Sequence, residues 1–122
     1  MKGTVLVVDD SGLARRRVRS ILEPAGYEVV EVEDGMSALE RYFVAKPDLV
    51  LLDLVMKGMS GLDVLTKLRE MDPAARVIVV SADVQTSSHE MVEQAGAAGF
   101  LMKPIDSDEV LAMVQSTLEG SK

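Results

Sequence analysis

Cysteine and tryptophan are absent from this chain of 122 residues, and histidine occurs once, as His89. The lack of cysteine excludes disulfide bonds, thiolate metal sites and cysteine nucleophiles. A single histidine excludes metal sites built from several histidines and argues against a Ser-His-Asp triad. The length fits one compact domain, residues 1–122, with a core large enough to need no covalent cross-links.

Basic residues are outnumbered, with 13 lysines and arginines against 20 aspartates and glutamates, for a net charge of −7. Nucleic-acid-binding proteins normally present a basic face, so this balance argues against a nucleic-acid partner. No apolar run approaches the roughly 18 residues that a membrane span needs. The N-terminus leads directly into a short apolar run and lacks the features of a signal peptide. We therefore expect a cytoplasmic protein that does not insert into a membrane.

Short apolar runs alternate with longer amphipathic segments five times along the chain. Three runs are continuous and too short for helices, as is typical of strands buried on both faces of a parallel sheet: Val5–Val8, Leu49–Leu52 and Val77–Val80. Glutamates interrupt the run from Tyr27 to Glu33, which favours an edge strand. A fifth run is Phe100–Met102. The pattern predicts an α/β fold of five βα units, (βα)5, with an open, doubly wound, parallel five-stranded sheet.

The segments between these runs carry helix signals. Capping patterns predict helix starts at Ser60, Ser87 and Asp106. Glycines are expected at helix ends, at Gly26, Gly96 and Gly99. The first helix has a predicted buried stripe of Leu13, Val18, Ile21 and Leu22. We expect His89 to be solvated in the first turn of the fourth helix.

Polar residues follow four of the predicted strands: Asp9, Asp10, Asp53, Ser81 and Lys103. In doubly wound sheets ligands bind beyond the carboxyl ends of the strands. Neighbouring carboxylates repel one another, and Mg²⁺ suits a site of few carboxylates, water and phosphate oxygens. A carboxylate can also attack phosphorus, and a metal, a lysine and a hydroxyl would stabilise the phosphoryl oxygens. The set predicts phosphoryl transfer to an aspartate.

Four motifs of this chain resemble the response-regulator receiver domain of bacterial two-component signalling. They are Val7–Ser11 (VVDDS), Leu51–Met56 (LLDLVM), Val80–Ala82 (VSA) and Met102–Ile105 (MKPI). The resemblance covers residues 3–119 and implies a flavodoxin-like fold with strand order 2-1-3-4-5. It also implies that Asp53 accepts a phosphoryl group from a phosphohistidine on a sensor histidine kinase or phosphotransfer protein.

The resemblance implies roles for the other residues as well. Asp10 and Asp53 would bind Mg²⁺ directly, Asp9 would bind it through water, and the carbonyl of Val55 would complete the ligands. Lys103 would pair with the phosphoryl group, across a cis peptide bond to Pro104, and Ser81 would donate its hydroxyl. Phe100 stands at the position of the switch aromatic of the family. Val55 and Asp83 stand at positions that tune the lifetime of the phosphoryl group.

One residue departs from the family pattern, because Lys57 stands where proline is usual. We expect a less rigid loop there without loss of the site. Two simpler interpretations remain. Asp10 could cap the first helix while Asp53 merely ends a strand, or the chain could be a receiver that is no longer phosphorylated.

The function predicted is a stand-alone, chemotaxis-type receiver that changes its affinity for a downstream target protein. Its only chemistry would be its own Mg²⁺-dependent phosphorylation and dephosphorylation. A phosphorelay intermediate and a receiver excised from a longer regulator are alternatives. A phosphatase of the haloacid-dehalogenase type is the alternative from another class, but it needs a second aspartate two residues after the first. In this chain Ser11 stands two residues after Asp9 and Val55 two residues after Asp53, which argues against such a phosphatase.

Charge is distributed unevenly over the helices. Four arginines of the first helix form either a solvated face or a kinase-docking surface: Arg15, Arg16, Arg17 and Arg19. The fourth and fifth helices have no lysine or arginine. A two-fold interface with salt bridges needs both signs of charge, so we expect a monomer. Its partner would offer basic or apolar residues.

Overall fold

The structure, a computed structural model, describes residues 2–82 and 86–120, in which five strands alternate with five helices. The strands are β1 (Gly3–Val8), β2 (Tyr27–Val32), β3 (Leu49–Asp53), β4 (Val77–Ser81) and β5 (Gly99–Met102). The helices are α1 (Gly12–Leu22), α2 (Gly35–Ala45), α3 (Gly61–Met71), α4 (Thr86–Gln94) and α5 (Ser107–Glu119). None of the described helices is both long enough and apolar enough to cross a membrane.

The strands form one parallel sheet in the order β2-β1-β3-β4-β5. The predicted fold class and strand order are therefore confirmed. β2 lies at the edge, as its glutamates indicated, and ends at Val32, one residue before the predicted end. Because β1 and β3 are parallel neighbours, their carboxyl ends are adjacent, and the residues that end or follow them share one rim of the sheet.

Two apolar layers sandwich the sheet. Val5 and Val7 of β1 pack in one layer, covered by α1 and α5. Leu6 and Val8 point the other way, into a layer covered by α2, α3 and α4. Burial on both faces explains why the sequences of the central strands are continuously apolar.

Side-chain oxygens cap four of the helices. Ser60 accepts a hydrogen bond from the N–H of Asp63, and Asp106 accepts one from Glu109, which confirms two of the predicted starts. Ser11 caps α1 by accepting from the N–H of Ala14. The interpretation of Asp10 as the cap of α1 is therefore wrong.

Three local predictions are corrected by the structure. Leu13 is 72% exposed, because five residues of helix place it about 140° around α1 from the buried Val18. Ser87 lies inside α4 and does not precede it. Gly99 begins β5 and ends no helix; a Cβ there would lie 2.6 Å from the Met113 sulfur of α5.

Candidate functional site

Three aspartates meet at the carboxyl rim of the sheet. Asp9 and Asp10 directly follow β1, and Asp53 is the last residue of the neighbouring β3. One carboxylate oxygen from each lies within 4.8 Å of the others. Asp9 and Asp53 are 6% and 7% exposed, whereas Asp10 is open to solvent. The structure brings together the residues that were predicted to share a cation.

Lys103 reaches the same rim from the end of β5. Its Nζ donates a hydrogen bond to Asp9 Oδ2 at 3.0 Å and lies 3.6 Å from Asp53 Oδ1. The peptide bond from Lys103 to Pro104 is cis. Ser81, the last residue of β4, is fully buried, and its backbone carbonyl accepts from the N–H of Lys103.

The rim has more negative than positive charge. Burial raises the pKa of Asp53, and the neighbouring Asp9 carboxylate raises it further, against the opposite effect of the Lys103 ammonium. Burial acts to lower the pKa of Lys103, but its hydrogen bond to Asp9 and the charge of Asp53 outweigh burial and raise it. One ammonium does not neutralise three carboxylates.

The donor set fits Mg²⁺. All three side chains offer hard carboxylate oxygens, the ligand type that Mg²⁺ prefers, and these oxygens lie within 4.8 Å of one another. The exposed position of Asp10 leaves room for the water ligands that Mg²⁺ usually keeps.

The loop after β3 contributes backbone donors. The N–H of Val55 lies 3.4 Å from Asp53 Oδ1, and the N–H of Lys57 donates to Asp10 Oδ2 at 3.2 Å. The Lys57 contact was not predicted, although the departure of Lys57 from the family pattern was noted. A proline there could not donate. Asp83, which was predicted to tune the lifetime of the phosphoryl group, lies outside the described residues.

Sequence reasoning also missed two contacts that reach the site from α1 and α4. The Arg15 guanidinium donates to the backbone carbonyl of Asp9 at 2.5 Å. The rings of His89 and Phe100 stack with centroids 4.6 Å apart and planes 22° apart. His89 is exposed, as predicted, but it covers one face of the predicted switch aromatic.

An apolar cavity of about 290 Å³ lies beside the carboxylates, between α1 and the segment after β5. Asp53 and Lys103 border it on one side, and Leu13 and Ile105 line it on another. The exposed Leu13 of α1 therefore lines a cleft at the site and does not belong to the core.

Comparisons with known proteins give the family. The sequence matches the response regulator receiver domain over residues 5–115. It is 40% identical to the chemotaxis protein CheY of Bacillus subtilis over 119 residues, which cover 97% of this chain and 99% of that protein. It is also 40% identical to the nitrate/nitrite response regulator NarP of Escherichia coli, covering 97% of this chain and 56% of that longer protein.

Comparison with solved structures points to the same family as the sequence comparison. A CheY-like receiver domain protein from Methanospirillum hungatei superposes with a TM-score of 0.91, covering 96% of this chain and 94% of that one at 26% identity. The chemotaxis protein CheY4 of Vibrio cholerae superposes with a TM-score of 0.88 at 28% identity, covering 93% and 97%. The fold, the matched span and the identity to a full-length relative agree, and this chain belongs to the response regulator receiver domain family, CheY-like in type.

Proposed function

We propose that this chain is a phosphorylation-dependent switch whose acceptor is Asp53. The observation that carries the proposal is the position of the Asp53 carboxylate. It lies buried at the rim, within 4.8 Å of two further carboxylates and 3.6 Å from the Lys103 ammonium. This environment has a nucleophile, a place for a divalent cation and a cation fixed by the protein.

In the proposed transfer, one oxygen of Asp53 forms a bond to the phosphorus of a phosphohistidine. The P–N bond breaks, its electron pair stays on the imidazole nitrogen, and that nitrogen takes a proton from solvent. Mg²⁺ held directly by Asp10, Asp53 and the Val55 carbonyl, and by Asp9 through water, would neutralise charge on the phosphoryl oxygens. Lys103 pairs with one of these oxygens, which is why a raised pKa that keeps it protonated suits the role.

The proposed output is a shift between two pre-existing conformations. Ser81 ends β4, and Phe100 lies in the neighbouring β5, where it pairs with Val79, two residues before Ser81. Ser81 would donate its hydroxyl to the phosphoryl group, and Phe100 would repack against α4, where His89 now covers it. The changed α4–β5–α5 surface would then bind a downstream target protein.

Acetyl phosphate with Mg²⁺ tests the acceptor. Intact-mass measurement should show one added phosphoryl group in the wild type and none in Asp53→Asn. Asp63→Asn, at an exposed aspartate of α3, is the matched control and should be phosphorylated normally. Chelation of Mg²⁺ should prevent the reaction. Equal phosphorylation of Asp53→Asn would place the acceptor elsewhere.

Ser81→Ala tests the coupling. This variant should still be phosphorylated, but NMR shifts along α4 should respond more weakly than in the wild type. An identical response of α4 in both proteins would contradict the proposed role of Ser81.

A further inference from the structure

Arg15 of α1 connects the candidate site to the edge strand of the sheet. Its Nη1 donates to the backbone carbonyl of Asp9 at 2.5 Å, and its Nε donates to Glu31 Oε1 of β2 at 3.0 Å. The second oxygen of Glu31 accepts from Arg19 Nε at 2.6 Å. One carboxylate therefore fixes two arginines of α1, and one of them holds the backbone at Asp9.

The carbonyl that Arg15 holds belongs to the peptide unit between Asp9 and Asp10. Because the peptide is planar, the direction of this carbonyl is set by the ψ angle of Asp9, and a change in that angle alone would move Asp10 and its carboxylate relative to Asp9. The N–H of Asp9 already donates to Val32 of β2, and Asp9 Oδ1 accepts from the N–H of Ser11. The contact from Arg15 adds a restraint on the carbonyl of this peptide.

Arginine suits this position for a geometric reason. Its planar guanidinium directs donors along fixed directions, so that one head group can hold Glu31 and the Asp9 carbonyl together. The side chains of Arg15 and Glu31 are 17% and 22% exposed, which limits screening of the pair by salt. A lysine would carry the same charge without the rigid fork.

We propose that Arg15 is a positioning residue for the metal site: it orients the Asp9–Asp10 peptide so that both carboxylates face the cation. The proposal rests on the proposed function, since it assigns a role toward Mg²⁺ binding. Arg15 touches no carboxylate of the site in this structure and acts through the backbone of Asp9. Glu31 acts indirectly, by accepting a hydrogen bond that holds Arg15 in place.

The sign of the effect separates positioning from simple electrostatics. Arg15 is a cation near a cation site, so loss of its charge alone would tighten Mg²⁺ binding. Loss of a group that orients metal ligands typically weakens metal binding by roughly 10- to 100-fold. The two explanations predict opposite changes for the same substitution.

The experiment measures Mg²⁺ affinity by calorimetry in the wild type, Arg15→Ala, Arg15→Lys and Arg16→Ala. Arg16 is an exposed arginine of the same helix and controls for the loss of charge. We expect about tenfold weaker binding in Arg15→Ala, unchanged or slightly tighter binding in Arg16→Ala, and only partial recovery in Arg15→Lys. Binding in Arg15→Ala as tight as in Arg16→Ala, or full recovery in Arg15→Lys, would overturn the proposal.

A double-mutant cycle tests the link to Glu31. If Glu31 acts through Arg15, Glu31→Gln should weaken Mg²⁺ binding in the wild type and have no further effect in Arg15→Ala. Additive losses would overturn this part of the proposal. Urea denaturation of each variant establishes that the measured protein is folded.

A measurement without metal distinguishes failure of this proposal from failure of the proposed function. In Mg²⁺-free protein, the amide of Ser11 should exchange with solvent about tenfold faster in Arg15→Ala than in Arg16→Ala, because Asp9 Oδ1 accepts from it. Equal exchange in the two variants would overturn the positioning role. If the wild type binds no Mg²⁺ while the two variants still differ in Ser11 exchange, the metal site of the proposed function is contradicted and the positioning role of Arg15 is not.

Discussion

Lys57 illustrates how one residue changes the site through its backbone. It stands in the loop after β3 where receivers usually carry proline, and its N–H donates to Asp10 Oδ2. Proline has no N–H, so the usual family residue could not make this contact. The exposed Asp10 carboxylate is therefore held from the β3 loop in this chain.

The first prediction concerns Lys57→Pro. A proline in a compatible loop typically adds roughly 0.4–1 kcal/mol to the free energy of unfolding by restricting the unfolded chain. Here it would also delete the donor to Asp10, and we expect a net loss of about 1 kcal/mol in Mg²⁺-free protein. Urea denaturation measures the difference, and Lys57→Ala, which keeps the N–H, should stay within about 0.5 kcal/mol of the wild type. A stabilised Lys57→Pro would show that the contact contributes little.

Residue types at the site could be predicted from the sequence, whereas several contacts could not. Asp9, Asp53 and Lys103 directly follow strands or end them, and parallel strands bring such positions to one rim. The contacts of Lys57 and Arg15 depend on the path of a loop and on the direction of a carbonyl. Hydropathy patterns carry no information about either.

At the scale of elements, Glu31 joins α1 to the edge strand β2. Its pKa lies below the ordinary value of 4.5, chiefly because Arg19 donates a hydrogen bond to it; burial opposes this, and Arg15 adds to the lowering. A carboxylate with a lowered pKa stabilises the fold above the pKa of the unfolded chain. That contribution is lost as the pH falls through the lower pKa of the folded protein.

The second prediction follows for Glu31→Gln. At pH 7 the variant should have a free energy of unfolding about 1 kcal/mol below that of the wild type. The difference should shrink as the pH falls below about 4.5 and vanish once the folded carboxyl is protonated. Urea denaturation between pH 7 and pH 3 measures it. Glu28→Gln, at an exposed position of β2, is the control and should show little difference at any pH. If the free energy of unfolding of Glu31→Gln differs from that of the wild type by the same amount at every pH, the variant has lost packing rather than charge.

Elements with a strong pattern were predicted well, and their ends less well. The continuous apolar runs identified β1, β3 and β4 because both faces of those strands are buried. Leu13 does not belong to the predicted buried stripe because its spacing of five residues from Val18 places it on another face of α1, where it lines the cleft. Glycine at position 99 predicts a helix end, but glycine also occurs where two elements approach closely, and here it allows β5 to pack against α5.

On the scale of the whole molecule, the α4–β5–α5 surface is distinguished by its excess of negative charge. Residues 86–120 carry six exposed carboxylates: Glu90, Glu93, Asp106, Asp108, Glu109 and Glu119. The single lysine of this stretch is Lys103, which is bound to Asp9 at the rim. The exposed Met91 and Met102 give the same surface apolar area. A partner that fits it offers basic and apolar groups.

The third prediction is that the activated protein stays a monomer. A two-fold interface places the same patch on both subunits, so this surface would face its own carboxylates across the axis. Lys103 cannot offset them while it remains paired at the rim. Sedimentation of the beryllofluoride-activated protein, at concentrations well above those in a cell and at low salt, should give a single monomeric species.

Charge reversal by Glu90→Lys with Glu93→Lys adds positive charge to α4 and should favour association relative to the wild type. A salt-sensitive dimer of the wild type that disappears when α5 carboxylates are neutralised would show that basic groups elsewhere on the molecule complete the interface, and the expectation of a monomer would be wrong.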